Sequence, residues 1–124
     1  MPKILEINRM RVLLVDDNIG IRELVTEVLL NAGFKVDSTG NGNKALQMFR
    51  SRRYDLVITD LLHPGLNGAE LIGKIRRLKP WHPVLLFTAS PIPTLAKPCE
   101  LSDLVSAAKA LTQRKKKSKK IHRR

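Results

Sequence analysis

The sequence lacks several features, and each absence excludes a class of protein. Its 124 residues contain one cysteine, Cys99, which excludes an internal disulfide and fits a reducing cytoplasm, the expected location. No run approaches the roughly 18 apolar residues of a membrane span, and the polar first ten residues do not predict a signal peptide. A membrane partner is therefore not expected. The length allows one compact domain with a hydrophobic core and is too short for two.

Acidic residues are missing from the last eleven positions. Residues 114–124 hold eight of the 23 basic residues, whereas the rest of the chain has 15 basic residues against 11 acidic ones. The net charge of +12 therefore belongs largely to this segment. We expect a lead at 1–10, one domain at 11–113 and a disordered basic tail at 114–124. The tail predicts weak, non-specific nucleic-acid contact at most, since it has no aromatic residue for base stacking.

Short apolar runs alternate with helical patterns along the chain. Nearly continuous Val, Leu and Ile suit strands that are covered on both faces, as in a parallel sheet. Apolar residues at i, i+3, i+4 and i+7 indicate helices with one buried face. This alternation predicts an α/β fold with a doubly wound parallel sheet. The predicted strands are 11–17, 35–39, 55–60 and 83–89, and the predicted helices are 20–32, 43–52, 67–78 and 100–112.

Single residues give more local expectations. Asn18 can cap the first helix, and Gly33 can end it in a left-handed conformation. Leu24 belongs to the predicted buried stripe of that helix. Trp81, which follows Pro80, is expected to be a partly buried anchor between the third helix and the fourth strand.

Reactive side chains stand where three of the predicted strands end. The first strand ends in Asp16 and Asp17, the third in Asp60 and the fourth in Thr88. If the strands are parallel, these groups converge at one edge of the sheet. Carboxylates that close cannot all stay ionised without help, and Mg²⁺ would resolve the repulsion. A carboxylate beside Mg²⁺ can form an acyl phosphate, and Lys97 is the candidate cation for the added charge.

Five short motifs occur in a fixed order along the chain. Together, in this order and at these strand ends, they closely resemble the receiver domain of two-component response regulators, of the chemotaxis-regulator type, over residues 11–98. The motifs are Val-Asp-Asp at 15–17, Thr-Asp at 59–60, His-Pro-Gly-Leu-Asn-Gly at 63–68, Thr-Ala at 88–89 and Lys-Pro at 97–98.

The resemblance implies a flavodoxin-like fold and a signalling function. Asp60 would accept a phosphoryl group from a sensor histidine kinase or a phosphotransfer protein, and Thr88 and Lys97 would contact that group. Asp17 and Asp60 would bind Mg²⁺ directly, Asp16 would bind it through water, and the Leu62 backbone carbonyl would add a ligand. Such a protein signals by binding a downstream protein and can dimerise. It is not an enzyme beyond its own phosphorylation and dephosphorylation.

The chain departs from the family after Thr88. Only eight residues separate Thr88 from Lys97, whereas a crossover to a parallel strand needs about a dozen. Pro91 and Pro93 also oppose a helix there. We therefore expect strand order 2-1-3-4, no crossover helix after the fourth strand, and a fifth strand that is vestigial or absent. Thr94 stands where the family has an aromatic switch residue.

Several interpretations stay open beside a single-domain response regulator. A pseudo-receiver that acts only by binding proteins fits the missing helix and the missing aromatic residue. A basic-tailed nucleic-acid-associated protein fits residues 114–124. A flavin or dinucleotide protein fits less well, since no glycine-rich loop follows the first strand. Each aspartate alone could be a capping residue, and Lys97 could be a solvated surface lysine.

Overall fold

The computed structural model describes residues 10–60, 66–87 and 101–122, and the side chains of the last segment at 103–113. Four parallel strands form one sheet in the order β2-β1-β3-β4, which confirms the predicted order and the flavodoxin-like fold. The elements are β1 Arg11–Val15, α1 Ile19–Asn31, β2 Lys35–Thr39, α2 Gly42–Ser51, β3 Leu56–Thr59, α3 Gly68–Leu78, β4 Val84–Leu86 and α4 Leu101–His122.

The strand register aligns the carboxyl ends of the three longer strands. Val15 is the partner of Thr39 on one side and of Thr59 on the other. Thr59 is in turn the partner of Leu86. The residues that directly follow these strands therefore lie side by side at one edge of the sheet.

The sheet has an apolar layer on each face, as its continuous apolar strands predict. On one face, Val12 and Leu14 pack with residues of α1 and α4, including Val25, Leu29 and Leu104. On the other face, Leu13, Val15 and Val57 pack with α2 and α3 through Ala45, Phe49, Leu71 and Ile75. Burying each of the Val, Leu, Ile and Phe side chains among these contributes about 1.5–3 kcal/mol, which stabilises the sheet that carries the site.

Asparagine caps begin three of the helices. The side chain of Asn18 accepts a hydrogen bond from the N–H of Ile21, as predicted. Asn41 caps α2 in the same way, and Asn67 forms a capping box with Glu70 at the start of α3. Gly33 follows α1 with φ 103°, the left-handed conformation expected of it.

Three sequence expectations fail in detail. Trp81 is 90% exposed, so it is no anchor, because the turn between α3 and β4 leaves its ring in solvent. Leu24 is 46% exposed, because the face of α1 that packs on the sheet is narrower than the set of apolar positions predicted to lie on it. β4 is partly exposed along its length, unlike the fully buried β3.

The last helix is longer than predicted. α4 continues to His122, so the backbone of residues 114–122 is helical although a disordered tail was expected there. The boundary between domain and tail at residue 113 stays a prediction. The missing crossover helix and the fate of the fifth strand concern residues 88–100, which lie outside the described residues. None of the described helices is long and apolar enough to cross a membrane.

Candidate metal centre

Three aspartates meet at the carboxyl end of the sheet. Asp16 and Asp60 each come directly after a strand, and those strands pair through Val15 and Thr59. The Asp16 N–H donates to the Thr39 carbonyl at 3.1 Å, and the Asp60 N–H donates to the Val15 carbonyl at 3.0 Å. Both bonds continue the ladder by one residue, so the backbone of the sheet fixes where the two side chains begin.

The carboxylates of Asp16, Asp17 and Asp60 are close enough to share one cation. Each offers an oxygen, and these oxygens lie within 4.8 Å of one another. Asp16 is buried, Asp60 is half-buried and Asp17 is exposed. The group is therefore open to solvent on one side and enclosed on the other.

Asp16 experiences the repulsion within this group. Burial raises the pKa of its carboxyl group, and the nearby charges of Asp60 and Asp17 raise the pKa further. The Asn18 N–H donates to Oδ1 of Asp16 at 3.0 Å, and this bond, with the Arg22 charge, partly opposes the rise in pKa. Burial and the two neighbouring carboxylates therefore both disfavour the ionised form of Asp16.

A basic side chain fixes the turn between β1 and α1. Nη1 of Arg22, on α1, donates to the backbone carbonyl of Asp16 at 2.8 Å. Gly40 leaves the room for it: a Cβ added there would lie 2.7 Å from the Arg22 Nη1 and 3.4 Å from the carbonyl oxygen of Asp16. Arg22 is therefore a positioning residue for the turn that carries two of the aspartates.

The residue before Asp60 is also tied down. Thr59 is fully buried, and its hydroxyl donates to the carbonyl of Asp60 at 2.8 Å. The Phe87 N–H donates to the Thr59 carbonyl at 3.0 Å, so the end of β4 lies beside the end of β3. Thr88 is the next residue along the chain.

The donor set fits a hard divalent cation. Carboxylate oxygens alone, with an open side for water, are the ligands that Mg²⁺ takes in proteins, whereas Zn²⁺ sites usually include His or Cys. Among the described residues, this is the only group of three or more His, Cys, Asp or Glu side chains that could hold a metal ion. Asp16, Asp17 and Asp60 are the residues that would hold it.

The other predicted site residues fall outside the described residues. Leu62, Thr88 and Lys97 belong to segments 61–65 and 88–100, so their roles stay predictions. Conversely, Arg22 and Gly40 were not predicted from the sequence, and Thr59 was named there only as part of the Thr-Asp motif, without a role of its own. Arg22 occupies a polar position of an amphipathic helix, and Gly40 stands in an ordinary strand-to-helix turn. Neither pattern distinguishes a positioning residue from a surface residue.

Comparison with known proteins gives a consistent result. The family model described as the response regulator receiver domain matches residues 12–100. The transcriptional regulatory protein TcrA of Mycobacterium tuberculosis is 30% identical over 121 residues, which cover 87% of this chain and 48% of TcrA. This chain therefore spans about half the length of that curated relative.

Solved structures give the same likeness over the fold. The response regulator TrrA of Thermotoga maritima in complex with Mg²⁺ and BeF is 35% identical, with a TM-score of 0.74, and the match covers 82% of this chain and 98% of TrrA. TrrA in complex with the histidine kinase ThkA matches with a TM-score of 0.73 at 35% identity, over 82% of this chain and 97% of TrrA.

Proposed function

The chain belongs to the response regulator receiver domain family, and on this premise we propose that Asp60 accepts a phosphoryl group in a Mg²⁺-dependent reaction. Receiver domains are signalling modules of two-component systems. The observation that carries the proposal is the group of three carboxylate oxygens within 4.8 Å, which includes Asp60. The relative TrrA, in complex with Mg²⁺ and BeF, supports the same assignment.

Asp60 is the best nucleophile of the three aspartates. It follows the central strand β3, it is half-buried, and the Thr59 hydroxyl and the Val15 carbonyl hold its backbone on both sides. Asp16 is more enclosed than Asp60, which leaves an incoming phosphoryl group less access to it. Asp17 is exposed and follows no strand directly.

The reaction would be a direct transfer. An oxygen of Asp60 forms a bond to phosphorus while the phosphorus–nitrogen bond of a phosphohistidine breaks, and the released imidazole takes a proton. Bound Mg²⁺ would supply positive charge against the oxygens of the transferred group. Asp16 and Asp17, together with Asp60, would hold that cation, and Arg22 keeps the turn that carries the first two in place.

Other residues take their proposed roles from the family pattern. The Leu62 carbonyl adds a metal ligand, Thr88 donates a hydrogen bond to the phosphoryl group, and Lys97 contacts one of its oxygens. The donor would be a sensor histidine kinase or a phosphotransfer protein, in line with the TrrA–ThkA complex. Signalling would then proceed through a downstream protein, and a dimer stays part of the proposal.

A phosphorylation assay tests the proposal. The full chain is incubated with acetyl phosphate and Mg²⁺, and its intact mass is compared with that of Asp60→Asn, which keeps the shape of the side chain. We expect one added phosphoryl group in the wild type, none in the variant, and none in wild type with EDTA. An unmodified wild type that also fails to bind Mg²⁺ would instead favour a pseudo-receiver that acts only by binding proteins.

A further inference from the structure

The last helix has two parts of opposite character. Its first part packs on the sheet through Leu104, Ala108 and Thr112, which are all buried and four residues apart. The helix then continues to His122. At the same spacing, the next positions on this stripe are Lys116 and Lys120. The stripe that holds the helix to the domain therefore becomes cationic after Thr112.

The second part of the helix carries a dense positive charge. Six of the nine residues at 114–122 are Lys or Arg, and none is acidic. At about 1.5 Å per residue the nine residues span about 13.5 Å, so one positive charge occurs about every 2.2 Å. Duplex DNA carries one negative charge per about 1.7 Å of its axis. The two linear charge densities are closely matched.

The cationic positions also surround the helix axis. At about 100° per residue, positions 114 to 117 fall on four different sides, and positions 119 and 120 fall in two of the four gaps between them. A helix that lies on a membrane needs an apolar face, and 114–122 offers Ile121 alone. An acidic patch on a protein would use only one side. A helix in a groove of a duplex has phosphates on both flanks, so cations on several sides of the helix can contact them.

We propose that helix residues 114–122 bind the phosphate backbone of duplex nucleic acid without reading its sequence. The segment has no Phe, Tyr or Trp to stack on bases, and Lys predominates over Arg, so phosphate contact is the interaction that its chemistry supports best. This is a second binding site, and it follows Thr112 along α4, whereas the part of α4 that packs on the sheet ends at Thr112. It does not require phosphorylation of Asp60.

Binding also stabilises the helix itself. Like charges three and four residues apart, such as Lys116 with Lys119 and Lys120, repel one another and destabilise an isolated helix. Phosphates between them remove this repulsion. The helical content of the full chain, measured by circular dichroism, therefore increases when duplex DNA is added, and the increase is lost in a chain that ends at Gln113.

The experiment is a fluorescence-anisotropy titration of a labelled duplex of about 20 base pairs, with the full chain over a series of salt concentrations. We expect log K to fall with log salt with a slope near −5, from about six phosphate contacts. Replacing Lys115, Lys116, Lys119 and Lys120 with Gln weakens binding at least tenfold. A second duplex of unrelated sequence binds equally well.

A matched control removes four charges elsewhere. Arg50, Lys74, Arg76 and Arg77 are all exposed on α2 and α3, and changing them to Gln lowers the net charge equally. This control binds the duplex within about threefold of the wild type if the proposal holds. Equal weakening in both variants would mean that net charge alone drives binding and would overturn the assignment to residues 114–122.

Two other outcomes also overturn the proposal. In one, the full chain binds DNA no better than a chain ending at Gln113. In the other, vesicles rich in phosphatidylserine bind the tail and duplex DNA does not. Thermal unfolding of the truncated chain with and without Mg²⁺ separates these outcomes from a failure of the aspartate site, because Asp16, Asp17 and Asp60 all remain in that chain.

Discussion

The guanidinium of Arg22 holds the backbone carbonyl of Asp16 at 2.8 Å, from one full turn inside α1. The bond joins the start of the helix to the end of β1, across the turn that carries Asp16 and Asp17. Because the bond is to the main chain, Arg22 occupies neither carboxylate oxygen of Asp16. The positions of two proposed metal ligands therefore depend on a residue that is not itself a ligand.

Gly40→Ala tests this relationship without touching an aspartate. The new Cβ would lie 2.7 Å from Nη1 of Arg22, and the arginine, as the flexible partner, swings away and loses its bond to Asp16. We expect Mg²⁺ affinity to fall about threefold to tenfold, the effect of one lost hydrogen bond of about 0.5–1.5 kcal/mol. Calorimetric titration with Mg²⁺ measures it.

Two controls accompany Gly40→Ala. Gly73→Ala has nothing within 4 Å of its Cβ and should leave Mg²⁺ affinity unchanged. Arg22→Gln should weaken binding as Gly40→Ala does, and the double variant should be no weaker than either single one. Additive effects in the double variant would contradict a shared cause.

Asp16→Asn should stabilise the metal-free protein at neutral pH. Because the folded-state pKa of Asp16 is raised, folding favours its protonated form, and its ionised form lowers the free energy of unfolding. Asn removes the charge and keeps an acceptor for the Asn18 N–H. The gain should shrink as the pH falls through the raised pKa of folded Asp16, and it should vanish below the ordinary aspartate pKa of 3.8, where both states of the wild type are protonated.

The same variant should respond differently to Mg²⁺. A cation that binds only the folded state stabilises it by about 2.7 kcal/mol when its concentration is 100 times Kd. Wild type should therefore gain stability on adding Mg²⁺, and Asp16→Asn should gain much less at the same concentration. Urea unfolding with and without Mg²⁺ measures both quantities, and an equal Mg²⁺ gain would contradict the site.

Tyr54→Phe should destabilise the fold and change how its stability depends on pH in the alkaline range. The buried Tyr54 hydroxyl donates to Asp37 at 2.8 Å, and its loss costs about 1–2 kcal/mol. Burial, with the hydrogen bond to Asp37, raises the pKa of Tyr54 to about 12 from 10.0. Between these pH values the unfolded chain releases the proton and the folded chain keeps it, so stability falls as the pH rises.

Urea midpoints from pH 9 to 12 check the Tyr54 prediction. The wild type should lose more stability over this range than Tyr54→Phe, which has no phenol to titrate. Parallel pH curves for the two proteins would mean that Tyr54 ionises alike in both states.

Trp81→Ser should have almost no effect on stability. The indole is 90% exposed, so the change should stay within about 0.5 kcal/mol, as for surface positions in general. Trp81 is the single tryptophan of the chain, and acrylamide should quench its fluorescence almost as well in the folded as in the unfolded protein. Strong protection from quenching would show that the ring is covered.

Sequence patterns predicted the fold well because the spacing of apolar residues along the chain reflects which faces of its helices and strands are buried. The continuous apolar strands indicated the parallel sheet, and the ends of those strands alone were enough to place Asp16 and Asp60 next to each other. The exposed Trp81 was missed because hydrophobicity alone does not tell which way a turn residue faces. Arg22 and Gly40 were missed because their contact joins residues 18 positions apart, through space that no local pattern describes.

The most direct test of the central claim locates the phosphoryl group. After reaction with acetyl phosphate and Mg²⁺, borohydride reduces an aspartyl phosphate to homoserine, and peptide sequencing by mass spectrometry finds the changed residue. The account predicts homoserine at position 60 and at neither Asp16 nor Asp17, and none when Mg²⁺ is omitted. Homoserine at another aspartate, or the same yield at position 60 without Mg²⁺, would contradict it.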